Sequence, residues 1–354
     1  MAAGDARAAE AHPGAPLRVA AIGAGGGSAA HFAAASRTRA FEIVGVLDTH
    51  ADRARAQADR YGISRCYGSL DELLADERAA CVAVLTPPDT HEALTCAALA
   101  AGRHVVCEKP LGRTVAECDR MIAAAVAADR RLLPVHNRIY SHAITRAAKL
   151  VRAGELGSIF LAASVGVESP ATVEAAAWLR TDASLGGVII AQATHPLYVL
   201  RWLLGDADSV SATAGTSTLA MSGEDTAALT VGFRSGAIAS LIATFAAAPG
   251  SGDHALRLFG TTGTLETSLR GGTHERPERL HAIVPARFGD PERHELSLPP
   301  SDGWITSFER MWNDYSHAIQ TGTPALVSGQ DGREVVRIVR AAYQAMTDGK
   351  TVTL

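Results

Sequence analysis

The sequence predicts an α/β protein, with a doubly wound parallel sheet in its N-terminal part and an α+β domain with a mostly antiparallel sheet in its C-terminal part. Short apolar strands alternate with helical segments from residue 17 to residue 135, which is typical of parallel sheets. A glycine-rich turn joins the first strand to the first helix. After residue 158, Val-, Ala- and Thr-rich runs separated by turn residues indicate antiparallel strands.

Length, charge and cysteine usage narrow the class of protein. A chain of 354 residues is long enough for two domains of ordinary size. The net charge of −4 gives no basic surface for nucleic acid and no polybasic patch for a membrane. Residues 1–16 lack the apolar core of a signal peptide and are predicted to be a disordered tail. The five cysteines form no CxxC pair, which favours a reducing, cytoplasmic location.

Each half can be divided into elements. In the first half the predicted strands are 17–22, 41–47, 81–85, 104–108 and 132–135, and the predicted helices are 29–36, one from about residue 51, 92–101 and 114–128. In the second half the predicted strands are 159–167, 209–214, 227–233, 237–245, 255–259 and 263–267, and the predicted helices are 194–204, 304–321 and 331–348. One face of the second sheet is expected to be exposed and available for oligomer formation.

The glycine-rich turn predicts a dinucleotide site. A strand, this turn and a helix follow in the order that a dinucleotide fingerprint requires. Gly23 allows the tight turn, and Gly25 lets the backbone approach a pyrophosphate at the helix N-terminus. Gly26 and Gly27 are predicted to bind the cofactor as well, and the small Ser28 stands where a third glycine is usual. The first domain is therefore predicted to be a Rossmann domain over residues 17–137, followed by a C-terminal domain over residues 138–354.

Asp48 ends the second strand, about 20 residues past the glycines, where an acid can accept hydrogen bonds from both hydroxyls of the adenosine ribose. The alternative is that Asp48 caps the helix beginning near Ala51. No arginine directly follows Asp48 to hold a 2′-phosphate. NAD is therefore favoured, and NADP stays an alternative.

Residues 104–110 place a charged side chain at the end of a buried strand. The apolar run ends in Glu108, Lys109 and Pro110. Burying an ammonium is unfavourable without a partner, and ligands of open α/β sheets bind beyond the carboxyl ends of the strands. Lys109 is therefore a candidate substrate-binding residue. Cys107 is interpreted as a buried strand cysteine, with a reactive thiol as the alternative.

Two histidines lie at predicted helix starts. His195 follows Gly186 and Gly187, and a helix N-terminus favours the neutral imidazole that can act as a base. The alternative for His195 is a helix-start histidine satisfied by backbone groups. His91 follows the Thr86-Pro87 loop and is interpreted either as a residue on the nicotinamide side or as a first-turn surface or capping histidine.

Taken together, these motifs resemble the Gfo/Idh/MocA oxidoreductase family, which includes glucose–fructose oxidoreductase and inositol 2-dehydrogenase. The resemblance covers nearly all of residues 17–354. The matching pieces are the turn at Gly23, Thr86-Pro87 with His91, Glu108-Lys109-Pro110, 154–157, Gly186-Gly187 with His195, 260–265, the 304–319 helix and 327–330.

The resemblance implies the fold, the chemistry and further site residues. It implies a Rossmann domain, a C-terminal domain with a large open sheet that forms a homodimer or homotetramer, and last helices that pack back toward the Rossmann domain. It implies NAD or NADP as cofactor, held by the glycine turn, Asp48, Thr86, Pro87, His91, Glu108 and Lys109. It implies a sugar, cyclitol or related polyol as substrate, a lysine that hydrogen-bonds the reacting hydroxyl, a histidine that acts as acid and base, and a candidate cis peptide bond at Lys109–Pro110.

The chain departs from the family at two positions near the histidine. The family commonly has an aspartate four residues before it and another three residues after it, where this chain has Ala191 and Tyr198. Gln192 is the nearest polar substitute for the first aspartate. In having this residue the chain resembles family members that act on cyclic dihydrodiols. The glutamine can orient a hydroxyl but cannot take a proton. Tyr198 lies one helical turn from His195 and is expected to bond the substrate or His195.

The resulting hypothesis is reversible oxidation of a ring secondary alcohol to a ketone. Lys109 and His195 handle the proton while hydride passes to the nicotinamide. Further candidate substrate contacts are Asn137, Arg138, Trp178, Arg180, Gln192 and Tyr198. Arg180 is interpreted either as a bidentate partner of a carboxylate or phosphate, or as a solvated loop charge. No metal is expected.

Three alternatives remain open at the level of the reaction. The first is a net non-redox enzyme that eliminates, hydrolyses or epimerises through transient oxidation with tightly held NAD. The second is a cyclic dihydrodiol dehydrogenase. The third is an NAD-binding sensor without turnover, against which the presence of both Lys109 and His195 argues.

Overall fold

The computed structural model describes residues 14–175, 177–180, 186–268, 278–300 and 303–354. The chain forms two compact units. The first comprises the described residues up to Asn137 together with Phe308–Glu334, and the second comprises Arg138–Ser307 and Val335–Leu354. Residues 1–13 of the expected disordered tail lie outside the described residues.

The first unit contains a parallel sheet alternating with helices. In chain order the elements are β1 (Leu17–Ile22), α1 (Ala29–Ala35), β2 (Phe41–Leu47), α2 (Ala51–Tyr61), α3 (Leu70–Ala75), β3 (Cys81–Val84), α4 (His91–Ala100), β4 (His104–Cys107), α5 (Val115–Ala128) and β5 (Leu132–Pro134). The strand order is β2-β1-β3-β4-β5, and every pair is parallel. The predicted doubly wound parallel sheet is confirmed.

This topology places the predicted cofactor residues at one edge. Gly23, Asp48, Thr86 and Glu108 each follow the carboxyl end of a strand, from β1 to β4 in turn. The carboxyl ends of parallel strands meet at the same edge of a sheet, and β1 lies between β2 and β3, where the strand order reverses. Such a reversal opens a crevice for a ligand. The sheet is buried on both faces, since all four residues of β3 are buried.

The second unit contains a nine-stranded sheet. In chain order its elements are α6 (His142–Arg152), β6 (Ile159–Val167), α7 (Pro170–Ala175), α8 (Thr194–Leu204), β7 (Ala207–Gly215), β8 (Thr226–Phe233), β9 (Ile238–Thr244), β10 (Asp253–Gly260), β11 (Thr264–Ser268), β12 (Arg279–Ile283), α9 (Pro285–Phe288), β13 (His294–Leu296) and β14 (Val352–Thr353). Before β14 come two long helices, α10 (Trp304–Thr321) and α11 (Gly329–Asp348), each of which has residues in both units. The order is β13-β12-β11-β10-β6-β9-β8-β7-β14, and only β6 and β9 pair in parallel. The predicted mostly antiparallel sheet is confirmed.

Alternation of side chains gives this sheet its two faces. Along β6, Ala162 and Ser164 are buried and pair with the buried Leu258 and Leu256 of β10, while Leu161, which alternates with them, is exposed on the other face. The helices α8 and α10 and most of the sheet agree with the predicted bounds to within two residues. The short strands β12, β13 and β14 were not predicted from the sequence.

None of the described helices is long and apolar enough to span a membrane. The five cysteines are all free. Cys107 is fully buried, and burial raises the pKa of its thiol well above the usual range. A reactive thiol requires a stabilised thiolate, so the alternative of a reactive Cys107 is wrong and the buried strand cysteine is confirmed.

Candidate active site

The glycine turn leaves its backbone open to a ligand. Gly23 has φ +105°, and a Cβ there would lie 2.4 Å from the Leu85 carbonyl oxygen, so only glycine fits. At Gly25, Gly26 and Gly27 a Cβ would meet nothing within 4 Å. Because these three residues enter the N-terminus of α1 with free space beside them, the turn fits the pyrophosphate of a dinucleotide.

Ser28 closes this turn as a small buried residue. It is fully buried, and its Oγ donates to the Gly25 carbonyl oxygen at 2.6 Å. The serine therefore stabilises the turn from within and leaves room for the helix to pack against β1, which is the task of the third glycine in the usual motif.

Asp48 ties the end of β2 to the glycine turn. Its Oδ2 accepts from the Ala24 N–H at 2.7 Å, and its Oδ1 accepts from the His50 N–H at 2.8 Å. The residue that precedes α2 is His50, and no side chain caps that helix. The capping alternative for Asp48 is therefore wrong. Each carboxylate oxygen keeps a lone pair, so the group retains capacity for ribose hydroxyls.

His91 is a buried histidine that joins two loops. It is fully buried, its Nε2 lies 2.8 Å from the Thr86 carbonyl oxygen, and its Nδ1 lies 2.9 Å from that of Pro110. The surface-histidine alternative is wrong. Burial lowers the pKa of His91, so the neutral ring donates to one carbonyl at a time. The imidazole connects the Thr86-Pro87 loop with the segment around Lys109.

The Glu108 carboxylate is fixed by contacts at both of its oxygens. Its Oε1 lies 3.0 Å from His31 Nε2, and its Oε2 accepts from the Lys109 N–H at 3.0 Å. Burial raises the pKa of Glu108, but the contacts with His31 and Lys109 outweigh this effect, and the pKa is lowered overall. Lys109 itself is half-buried, and the Lys109–Pro110 bond is cis, as expected.

Neither His31 nor the residue that orients it was predicted from the sequence. Trp312 Nε1 donates to His31 Nδ1 at 3.0 Å, and both side chains are fully buried. Because indole N–H is only a donor, Nδ1 must accept, so the ring proton lies on Nε2 and faces Glu108. The one signal in the sequence is a lone histidine in the alanine-rich segment of α1.

His195 and Tyr198 form the centre of the second unit. His195 lies in the first turn of α8, just after a π-helical turn (Ile189–Ala193), and is 6% exposed. The Tyr198 hydroxyl lies 3.0 Å from His195 Nδ1 and accepts from the Arg138 N–H at 3.1 Å. The structure thus places Tyr198 as a partner of His195.

A second buried histidine lies nearby and was not predicted. His254 Nδ1 lies 3.2 Å from both Gln192 Nε2 and Arg138 Nη1, and His254 Nε2 lies 2.7 Å from Glu168 Oε1. In the register of β6 and β10, His254 pairs with Gly166, where a Cβ would lie 3.3 Å from Gln192 Nε2. The glycine therefore leaves room for this network.

One cavity of this unit brings several predicted residues together. Arg138, His195, Ser164 and His254 line it beside apolar residues of β6, β10 and α8. Gln192 is buried and contacts His254, which lines the cavity. Arg180 and Trp178, two other predicted substrate contacts, do not line this cavity. Arg180 is exposed and donates to the Ala220 carbonyl oxygen at 3.1 Å, which favours the solvated-charge alternative. Trp178 is half-buried. Asn137 is buried in the first unit.

Comparison with known proteins identifies the family. A family model described as "Oxidoreductase family, NAD-binding Rossmann fold" matches residues 17–136, and the model of the GFO/IDH/MocA C-terminal domain matches residues 144–266. The chain belongs to the Gfo/Idh/MocA family. As a member of this family it is an oxidoreductase whose first unit binds NAD, and the predicted enzyme class and cofactor are confirmed.

Relatives of this Gfo/Idh/MocA protein cover almost its whole length. It is 31% identical to a 1,5-anhydro-D-fructose reductase from Ensifer adhaerens, over 90% of this chain and 93% of the relative. It is 24% identical to a myo-inositol 2-dehydrogenase from Thermotoga maritima, over 88% and 91%. A crystal structure of GenD2 from gentamicin A biosynthesis, in complex with NAD, is 27% identical with a TM-score of 0.82 and covers 97% of this chain and 98% of that one.

Proposed function

We propose that the protein interconverts a secondary alcohol and a ketone on a sugar, cyclitol or related ring polyol with NAD. The observation that carries this proposal is the buried His195, held by Tyr198 on a cavity that is also lined by polar side chains. The named relatives support the substrate class, since one is an inositol dehydrogenase and another an anhydrofructose reductase.

The cofactor is assigned to the first unit. The glycine turn would hold the pyrophosphate and Asp48 the adenosine ribose, with the Thr86-Pro87 loop and the segment from Glu108 to Lys109 completing the site. When bound, NAD supplies the acceptor for the hydride of the carbinol carbon. The missing arginine after Asp48 favours NAD over NADP.

Two residues of this chain are assigned to the removal of the proton from the substrate hydroxyl. His195 accepts the proton of the substrate hydroxyl, and because Nδ1 bonds Tyr198, we assign this exchange to Nε2. The Lys109 ammonium stabilises the oxygen as its charge develops. The lysine belongs to the first unit and the histidine to the second, so this pairing rests on the family resemblance of their motifs.

The test is NADH formation, followed by absorbance, with the purified full chain and a panel of sugars, inositols and cyclic diols. Lys109→Met and His195→Asn should each lower kcat about 100-fold or more, and His195→Asn should leave NAD affinity unchanged. Lys149→Met, at an exposed position of α6, is the matched control and should behave as the parent chain. Substrate consumed without net NADH would instead identify the net non-redox reaction, and NAD binding without turnover would identify a sensor.

We also propose that the protein forms a homo-oligomer through the outer face of the nine-stranded sheet. Leu161, Ile238 and Ile242 are 37%, 51% and 49% exposed, and Ile238 pairs directly with Leu161. Several large apolar side chains on neighbouring strands form a patch of the kind that interfaces cover. Ile242→Asp should reduce the molar mass measured by light scattering after gel filtration, whereas an unchanged mass would exclude this face.

A further inference from the structure

Arg138 is a buried cation on the cavity that contains His195. It follows Asn137 in a short 3-10 turn (Asn137–Tyr140), and only 9% of the residue is exposed. Its side chain lines the cavity, and its Nη1 donates to His254 Nδ1 at 3.2 Å. The guanidinium carbon lies 5.9 Å from the centre of the Trp304 ring.

The partner of this guanidinium is neutral. Arginine has no acceptor, so His254 Nδ1 must accept and the ring proton lies on Nε2, where it donates to Glu168 Oε1 at 2.7 Å. Burial, followed by the charge of Arg138, lowers the pKa of His254 and keeps the ring neutral, although Glu168 acts in the opposite direction.

The charge of Arg138 is therefore poorly compensated. Glu168 reaches the guanidinium only through the imidazole, and its other oxygen accepts from Thr172 Oγ1 at 3.2 Å. Among the described residues no carboxylate contacts Arg138, and its side chain makes one protein hydrogen bond although a guanidinium has five N–H groups. Burial lowers the pKa of Arg138, and the opposing effects of Tyr198 and Glu168 do not offset this. A buried charge without a paired counter-charge is unfavourable.

We propose that Arg138 binds an anionic group of the substrate, a carboxylate or a phosphate, so that the substrate is an acidic sugar or cyclitol derivative. This inference rests on the proposed function. The remaining N–H groups of a guanidinium match the two oxygens of such an anion, whereas a neutral hydroxyl satisfies a donor and leaves the charge unpaired.

The anion site lies beside the proton-exchanging residue. The same Tyr198 hydroxyl contacts the Arg138 N–H and His195 Nδ1, and both side chains line one cavity. Apolar residues such as Val199 and Leu256 complete the lining, and exclusion of water strengthens the attraction between charges. The anion-binding role that the sequence suggested for Arg180 is thus reassigned to Arg138.

The test compares matched acidic and neutral substrates with NAD and the full chain. The pairs are glucuronate with glucose, galacturonate with galactose, and inositol 1-phosphate with myo-inositol, so that the arms separate carboxylate from phosphate. At least one acid should exceed its neutral partner about 100-fold in kcat/KM. Arg138→Gln should remove that preference, mainly through KM, and Arg138→Lys should keep part of it. Arg234→Gln, in the exposed turn after β8, should leave the preference intact.

Calorimetric titration of the same acids into the NAD-loaded protein gives an answer independent of turnover. Saturable binding of an acid that Arg138→Gln weakens about 100-fold supports the proposal. Acids that bind equally well to Arg138→Gln, or that do not bind, overturn it, provided that this variant keeps the NAD affinity and melting temperature of the parent. A parent chain that oxidises neutral polyols as efficiently as, or more efficiently than, the matched acids would likewise overturn it while leaving the proposed function in place.

Discussion

Both units contain a buried histidine that donates to a partly buried carboxylate, with the same polarity. In the first unit His31 donates from Nε2 to Glu108, and in the second His254 donates from Nε2 to Glu168. Each histidine accepts a hydrogen bond at Nδ1, which fixes its neutral tautomer. In each pair the donor at Nδ1 therefore orients the imidazole toward the carboxylate, and the imidazole itself is uncharged.

The two pairs differ in the donor at the far end. In the first unit the donor is the neutral indole of Trp312, which is fully buried and closes the network. In the second unit it is the cationic Arg138, which lines a cavity. The same local arrangement thus fixes a loop in one unit and leaves a cation available to a ligand in the other. The role of a buried histidine therefore depends on the partners of both of its ring nitrogens.

The largest expected effect comes from breaking the closed network. His31→Ala leaves the Glu108 carboxylate without its partner and opens a cavity beside Trp312, so we expect a loss of about 3 kcal/mol in the free energy of unfolding. Chemical denaturation monitored by tryptophan fluorescence measures this. His317→Ala, on α10, is the control and should change stability by less than about 1 kcal/mol. Equal losses in the two variants would contradict the role of the network.

The next effect concerns cofactor choice in the first unit. Asp48→Asn keeps an acceptor for the Ala24 N–H but removes the charge, whereas Asp48→Ala removes both. Charge-assisted hydrogen bonds to two ribose hydroxyls predict that NAD binds Asp48→Ala about 10- to 100-fold more weakly, with a much smaller change for NADP. Titrations with both cofactors measure this, and an equal loss for both would refute the ribose assignment.

A smaller effect is expected at Tyr198. Tyr198→Phe removes the hydroxyl that contacts both the Arg138 N–H and His195 Nδ1. Loss of the hydrogen bond to His195 predicts a fall of about 10-fold in kcat with NAD affinity unchanged. Tyr198→Asp places a carboxylate beside the imidazole and stabilises its protonated form. The low-pH limb of the rate profile should therefore move to higher pH in Tyr198→Asp. Profiles that coincide with that of the parent chain would mean that Tyr198 does not position His195.

The smallest effect is the pH dependence of stability in the first unit. Burial, with the charges of Arg130 and Arg131, lowers the pKa of His104 to about 4 from its ordinary value of 6.5. The folded state therefore resists a proton that the unfolded chain accepts, and stability is lost as pH falls from about 6.5 to about 4. His104→Asn keeps an acceptor for the Arg131 N–H and should reduce this loss by about 1 kcal/mol or less, since the ring is partly solvated. Melting temperatures at pH 7 and pH 4.5 measure the difference.

Local pattern was enough to predict much of the cofactor side. The strand ending at Ile22, the glycine turn and Asp48 lie close in sequence, and their order alone indicates how they meet. The burial of a single side chain was harder to predict where the same sequence pattern fits both a surface and a buried position. His91 at a helix start fits both a surface and a buried position, and Arg180 and Arg138 are equally polar in sequence, but only Arg138 is buried.

The sequence by itself determined the two-part α/β architecture, the dinucleotide site and the family, because each depends on periodicity or on motifs of a few residues. Only the tertiary structure decided which histidine serves which carboxylate and which arginine faces a cavity. His31 and Trp312 are 281 positions apart, and Arg138 and His254 are 116 apart. No local pattern relates residues at such separations, because their contact depends on how helices and strands pack after the sheets have formed.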